Sequence, residues 1–205
     1  MEITISNEEK SYIGHPPLIL HLKPVISLTD DEFYEFCQTN RDIRVERNAQ
    51  GELILMPPTG GETSEQNAEI TMQLRLWAKH DATGVSFDSS GGLLLPNGAV
   101  RSPDAAWVEN PRLARLFPEE RKKFVPLCPD FVLELRSPTD SLSLLQDKMQ
   151  EYIDSGAQLG FLIDPTYKRV YVYRPQGTVE ELEEPDTVSG DPILPGFILD
   201  LKEVW

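Results

Sequence analysis

The side chains in this sequence whose types and spacing suit joint chemistry are Glu62, Asp104, Glu134, Arg136 and Lys148. Glu134 sits in the middle of an apolar run, PDFVLELRSP, from Pro129 to Pro138. Read as a strand, the run puts Phe131, Leu133 and Leu135 on one face and Val132, Glu134 and Arg136 on the other. A carboxylate in such a setting is costly to bury unless it is paired or holds a metal. The nearest partner in sequence is Arg136, on the same face; the more distant ones are Asp104, in RSPDAAWV, and Lys148, in LLQDKMQEY. Two carboxylates on neighbouring strands, Asp104 and Glu134, can hold Mg²⁺ or Mn²⁺ through oxygen, with the peptide carbonyl of Leu135 as a further ligand. An ion held there would polarise a phosphate and lower the pKa of a bound water. Lys148 could orient or deprotonate that water and offset charge on the phosphorane. Arg136 stays protonated, so its part is that of an electrostatic neighbour.

Each residue also has a plainer reading. Glu134 and Arg136 can be a simple ion pair two residues apart on a sheet face. Asp104, after Ser-Pro, can cap a turn. Lys148 can be a solvated helix residue near Glu151 or Tyr152. Glu62 can be an acid favoured in the first turn of a helix by the macrodipole. Only their joint occurrence points to a site.

The elements that must position these groups follow from pattern. Residues 1–27 are polar and proline-punctuated, an arm before the body at 28–205. SLTDDEFYEFCQTN reads as a capped amphipathic helix carrying Phe33, Phe36 and Cys37. IRVERNAQGELILM reads as a hairpin turning at Asn48–Gly51. A helix over about 62–80 has Ile70, Leu74 and Trp77 at core spacing. Glu62 lies roughly 80° from the centre of that stripe and Glu65 roughly 140°, so Glu62 is the helix acid placed to face a cleft at the sheet. GVSFDSSGGLLLP gives two short strands about a Ser-Gly turn, and RSPDAAWVEN a strand through Ala106 and Val108. LARLFPEER holds a short helix. SPTDSLSLLQDKMQEYIDSG is a second long helix, begun by Ser137–Ser141 and stopped by Gly156, with Leu142, Leu145, Met149, Tyr152 and Ile153 as its buried stripe. Lys148 falls on the flank of the stripe, about 90° from its centre. LGFLIDP is an apolar strand of the kind buried on both faces, and RVYVYRP alternates like an edge strand. The Glu134 strand, this helix and LGFLIDP form a β-α-β unit, so those two strands pair in parallel. The class is therefore α/β, a mixed sheet flanked by helices.

A chain of 205 residues is most simply one domain, with enough length to bury a core. No stretch reaches the roughly 18 apolar residues of a membrane span. MEITISNEEKSYIGHPP has no basic start followed by an apolar run, so no signal peptide is expected. Cys37 and Cys128 are read as core thiols, which fits a reducing, cytoplasmic setting. His15, His21 and His80 are scattered without ligand spacing. Net charge is −15 and the pI near 4.6. Since phosphate contacts dominate nucleic-acid affinity, any such contact needs a local basic face, a metal or a partner. The expected face has Arg101, Arg136 and Lys148 at its floor and Arg112, Arg115, Arg121, Lys122 and Lys123 at its rim.

PD followed by E-x-[basic] on a buried strand resembles the PD-(D/E)xK nuclease superfamily. MPPTGGET, FDSSGG, SPDAAWV, PDFVLELRSP, DKMQEYIDSG and LGFLIDP resemble more closely a bacterial family of restriction endonuclease-like proteins, domain of unknown function 820. The resemblance implies a restriction endonuclease-like fold, a Mg²⁺-dependent endonuclease acting on DNA, and a homodimer. Residue by residue it implies Glu62 as the helix acid, Asp104 as the Asp of the PD element and Glu134 as the second acid. The superfamily lysine two positions after that acid is here Arg136; in this family it moves to the following helix, at Lys148. Other readings stay open: a silent nuclease fold that binds nucleic acid or protein, an oligomeric structural module, or a hydrolase using Asp104 and Glu134 as an acid/base pair.

Overall fold

The computed structural model describes residues 17–205. A short strand β1 (Leu18–Leu20) leads to helix α1 (Asp30–Thr39), which starts where the sequence says it must. Thr29 caps it in a reciprocal box with Glu32, satisfying amide protons that have no partner inside the helix. Then come β2 (Arg44–Arg47) and β3 (Leu53–Met56), a hairpin whose turn is held by the Asn48 side-chain oxygen, which accepts from the amides of Gln50 and Glu52. The long helix α2 (Gly61–Asp81) follows, then β4 (Gly84–Asp88), β5 (Leu93–Leu94), β6 (Val100–Arg101) and β7 (Ala105–Glu109). A one-turn helix α3 (Asn110–Leu113) and a 3₁₀ turn at Glu120–Lys122 precede β8 (Phe131–Leu135). Helix α4 (Leu142–Asp154) and strands β9 (Leu159–Asp164), β10 (Arg169–Tyr173), β11 (Glu180–Glu183), β12 (Thr187–Ser189) and β13 (Ile198–Asp200) complete the chain.

The main sheet has six strands in the order β11-β10-β9-β8-β7-β4. It is mixed, because β8 and β9 pair in parallel while the remaining pairs are antiparallel. One face carries Phe131, Leu133, Phe161 and Ile163 against Ile70 and Leu74 of α2. The other carries Val132, Leu162 and Tyr171 against Met149, Tyr152 and Ile153 of α4. A strand buried on both faces has no room for alternation, which is why LGFLIDP reads as continuously apolar. Gly160 lets α4 lie close: a Cβ there would stand 2.5 Å from the Met149 methyl. Gly156, at φ +116, ends α4 in the left-handed region.

A mixed sheet flanked by helices is what the pattern predicted, but three local expectations change. A second, five-stranded antiparallel sheet, β1-β3-β2-β6-β5, stands beside the first, with Phe33, Leu53 and Val100 in its own core. The two strands around the Ser-Gly segment separate, β4 joining the main sheet and β5 the second. RVYVYRP is not the edge: β11 lies outside it, and its charged Glu180–Glu183 stretch gives little apolar pattern to read. Of the arm expected over 1–27, Leu18–Leu20 pair with β3, while residues 1–16, His15 among them, lie outside the described residues. Cys37 is half-buried and Cys128 buried, both as free thiols.

Candidate functional site

Register brings the two predicted carboxylates together. Strands β7 and β8 are antiparallel, with Ala105 opposite Leu133 and Ala106 opposite Val132. One step further sets Asp104 opposite Glu134, and partners across a ladder share a face. It is the face turned toward α4. Asp104 Oδ2 accepts the Leu135 N–H at 2.9 Å, which ties the segment before β7 to the end of β8. From α4, Lys148 Nζ lies 2.8 Å from Glu134 Oε1. Tyr152, one turn on, donates its hydroxyl to the same oxygen at 3.0 Å. The i, i+4 spacing puts both groups on one stripe of the helix. Both Glu134 oxygen contacts thus fall on Oε1.

The second sheet supplies a residue that sequence reasoning missed. Glu46, on β2, is 2% exposed and reaches into the cluster. Its Oε1 lies 3.0 Å from Lys148 Nζ and accepts the Ser102 N–H at 2.9 Å. Its Oε2 pairs with Arg101 at 3.1 Å, and Arg101 Nε in turn bonds Glu151 at 2.6 Å. The hairpin pattern of IRVERNAQGELILM assigns Glu46 no partner; its partners Arg101 and Lys148 are 55 and 102 positions away. No local signal announces it. Asn67 of α2 was missed too. Its side-chain amide approaches Asp104 Oδ1 at 3.5 Å, and its own buried carbonyl oxygen has no partner.

The charges do not balance. Carboxylates of Glu46, Asp104, Glu134 and Glu151 face the cations of Arg101 and Lys148. Burial pushes the Glu134 carboxyl up, and the charges of Asp104 and Glu46 add to this; against the opposing pull of Lys148 it reaches about 7. Burial also raises Asp104, opposed by the Leu135 amide and by the charges of Lys148 and Arg44. Glu46 goes the other way: burial opposes ionisation, but Lys148, Arg101 and the Ser102 amide outweigh it and hold its carboxyl low. Lys148 is held above its ordinary value by Glu134 and Glu46, although burial acts against its charge. The ammonium therefore secures Glu46, and Glu134 carries the strain with Asp104.

Asp104, Glu134 and Lys148 are brought together, and Leu135 joins them through its amide. Arg136 and Glu62 are not. Arg136 turns from Glu134 to Asp164, whose Oδ2 it meets at 2.6 Å, and donates to the Asp140 carbonyl at 3.1 Å. Asp164 is fully buried, so its claim on a guanidinium is strong. The ion pair expected between Glu134 and Arg136 is replaced by the one with Lys148. Glu62 is exposed at the start of α2 and lines a shallow cleft with Gln66, Arg136 and Trp205. The helix residue that reaches Asp104 is Asn67, five positions on and roughly 140° around the helix from Glu62. The expected basic face is also largely spent: Arg112 pairs with Asp130, Lys122 with Glu119 and Lys123 with Asp31, and Arg101 is enclosed.

The residues fit a hard divalent ion. Among the described residues no three His, Cys, Asp or Glu side chains form a ready cage. Asp104 and Glu134, with backbone and water oxygen, match the partial protein shell that Mg²⁺ accepts. The excess of carboxyls over paired cations, the raised pair Asp104 and Glu134, and the orphaned Asn67 oxygen are the features that an oxygen-seeking cation would relieve.

Comparison with known proteins places the fold. The Uma2 family profile, described as putative restriction endonuclease, matches residues 30–202. Among solved structures, one described as a putative nuclease belonging to DUF820, from Anabaena variabilis, superposes with a TM-score of 0.71 at 25% identity. It covers 86% of this chain and 97% of its own. The fold is thus that of the restriction endonuclease-like nucleases. No curated protein gives a significant match. No helix among the described residues is long and apolar enough to cross a membrane.

Proposed function

The chain belongs to the Uma2 family of putative restriction endonucleases, and on that premise we propose that it is a metal-dependent endonuclease hydrolysing phosphodiester bonds of DNA. The observation that carries the proposal is the placing of Asp104 opposite Glu134 on one sheet face, with the Lys148 ammonium 2.8 Å from Glu134. Asp104, Glu134 and the Leu135 carbonyl would hold Mg²⁺ or Mn²⁺. A divalent ion there supplies Lewis-acid polarisation of a phosphoryl oxygen and eases deprotonation of water.

The chain's own groups have separable parts. Glu134 Oε1 is occupied by Lys148 and Tyr152, which leaves Oε2 as its ligand oxygen. The Leu135 amide holds Asp104 Oδ2, so Oδ1, approached by the Asn67 amide only at 3.5 Å, would be the oxygen it offers an ion. Lys148, flanked by two carboxylates, acts as a fixed positive charge that offsets the negative charge developing on the phosphoryl oxygens. Held protonated in this way, it orients the attacking water and does not accept its proton, which would pass to bulk water as a bound ion lowers the pKa of that water. Glu62 stays a peripheral acid at the rim, within reach of a bound strand and outside the ion's shell. Family resemblance adds a homodimer to the proposal, and the free thiols Cys37 and Cys128 add a reducing, cytoplasmic setting.

One observation favours a non-cutting alternative. The residue at the superfamily lysine position, Arg136, is committed to Asp164, and the floor cations are already paired. A protein that binds nucleic acid or another protein through this fold would tolerate both. Incubating plasmid and linear DNA with the purified chain in Mg²⁺, Mn²⁺ or EDTA separates the readings. Metal-dependent cleavage that vanishes in EDTA is the expected result. Cutting unchanged in EDTA would reject the mechanism, and binding without cutting would favour the alternative.

A further inference from the structure

Resting on the nuclease reading, we propose that Arg44 is the phosphate-positioning residue at the mouth of this site. Arg44 and Glu46 lie two apart on β2, so their side chains share a face about 7 Å apart along the strand. Glu46 reaches the floor of the cluster; Arg44, at the outer end, is exposed. Ser102 links the two: its carbonyl accepts from Arg44 Nη2 at 2.9 Å, and its amide donates to Glu46 Oε1 at 2.9 Å. Ser102 is two residues before Asp104, so the guanidinium is tethered to the segment that delivers the first metal-binding carboxylate.

The second observation concerns pairing. The chain has 34 acidic and 19 basic residues, and the cations around the cluster are mostly claimed. Arg101, Lys148 and Arg136 are all taken by carboxylates. Arg44 makes no ion pair among the described residues; its hydrogen bond is to a neutral carbonyl, which leaves a guanidinium edge open. That edge is suited to the paired oxygens of a phosphodiester. A cation at the rim of a site with excess negative charge also answers how an acidic protein admits an anionic strand: it offers one local contact in place of a basic face.

The test uses the full-length chain, its Arg44→Ala and Arg44→Lys variants, and fluorescein-labelled single- and double-stranded oligodeoxynucleotides in Mg²⁺ or Mn²⁺. Binding is read by anisotropy across a salt series and cleavage on gels. Arg44→Ala should weaken binding and raise KM by roughly tenfold or more, lower the salt slope by about one, and leave kcat and the melting temperature nearly unchanged. Arg44→Lys should recover part of the affinity, which a purely structural bond to Ser102 would not predict. Binding that falls in Arg44→Ala when no cleavage occurs in any form supports the assignment and removes the nuclease reading. Cleavage and binding by wild type that are unchanged in Arg44→Ala overturn the assignment and leave the nuclease reading standing. A wild type that binds no oligonucleotide overturns it outright.

Discussion

Replacing Glu134 by Gln should remove the larger part of a pH dependence of stability that the metal-free chain carries. Glu134 is 4% exposed, and burial together with Asp104 and Glu46 pushes its carboxyl up to about 7, against the pull of Lys148. A carboxyl raised in the folded state binds more protons folded than unfolded. Its contribution is therefore fully present below the unfolded value, near 4.5, and is lost as pH rises through the folded one. The displacement corresponds to about 3 kcal/mol, of which roughly 2 kcal/mol falls between pH 5 and pH 8. Asp104, also raised, adds with the same sign from a lower starting pH. Glu46 is held low, so its contribution is lost only as pH falls below the ordinary carboxylate range, outside this window. Urea unfolding in EDTA at several pH values would read the effect. The wild type should lose stability from pH 5 to pH 8, and Glu134→Gln should lose about 2 kcal/mol less. Equal slopes in the two proteins would refute the assignment of strain to Glu134.

Lys148→Ala should abolish metal-dependent cleavage while metal binding persists, because it removes a charge and no ligand; full activity in the variant would take this lysine out of the mechanism. Arg136→Ala should cost roughly 3 kcal/mol in denaturant unfolding, because it strands Asp164 in the interior; a change below about 1 kcal/mol would show that Asp164 finds another partner. Asn67→Ala should weaken metal affinity measurably, whereas Glu62→Ala should leave it unchanged, in parallel calorimetric titrations; the reverse order would return Glu62 to the cluster and remove Asn67.

What the sequence disclosed follows from range of interaction. Helices α1 and α4, the hairpin turn at Asn48 and the parallel β8–β9 pair were legible because caps, turn residues and apolar period are local. Asp104, Glu134 and Lys148 were legible as a set because a polar residue in an apolar stripe needs a partner, and each lies on an element with a clear pattern. Arg136 was misassigned because adjacency on a strand face favoured Glu134, while Asp164, 28 residues on, is fully buried and takes the guanidinium. Glu46 and Asn67 were invisible for the same reason in reverse. Their roles come from a second sheet and a helix face brought near by the chain's topology, and nothing beside them in sequence is unusual. Beyond that hairpin, the second sheet was hidden in strands of two or three residues, too short to show a period.

Calorimetric titration of Mn²⁺ or Mg²⁺ into wild type and Asp104→Asn tests the central claim most directly, because it asks for the ion without requiring a substrate. A single-site isotherm in the wild type, weakened tenfold or more when Asp104 loses its charge, is the predicted result. No binding in the wild type, or binding indifferent to Asp104, would contradict it.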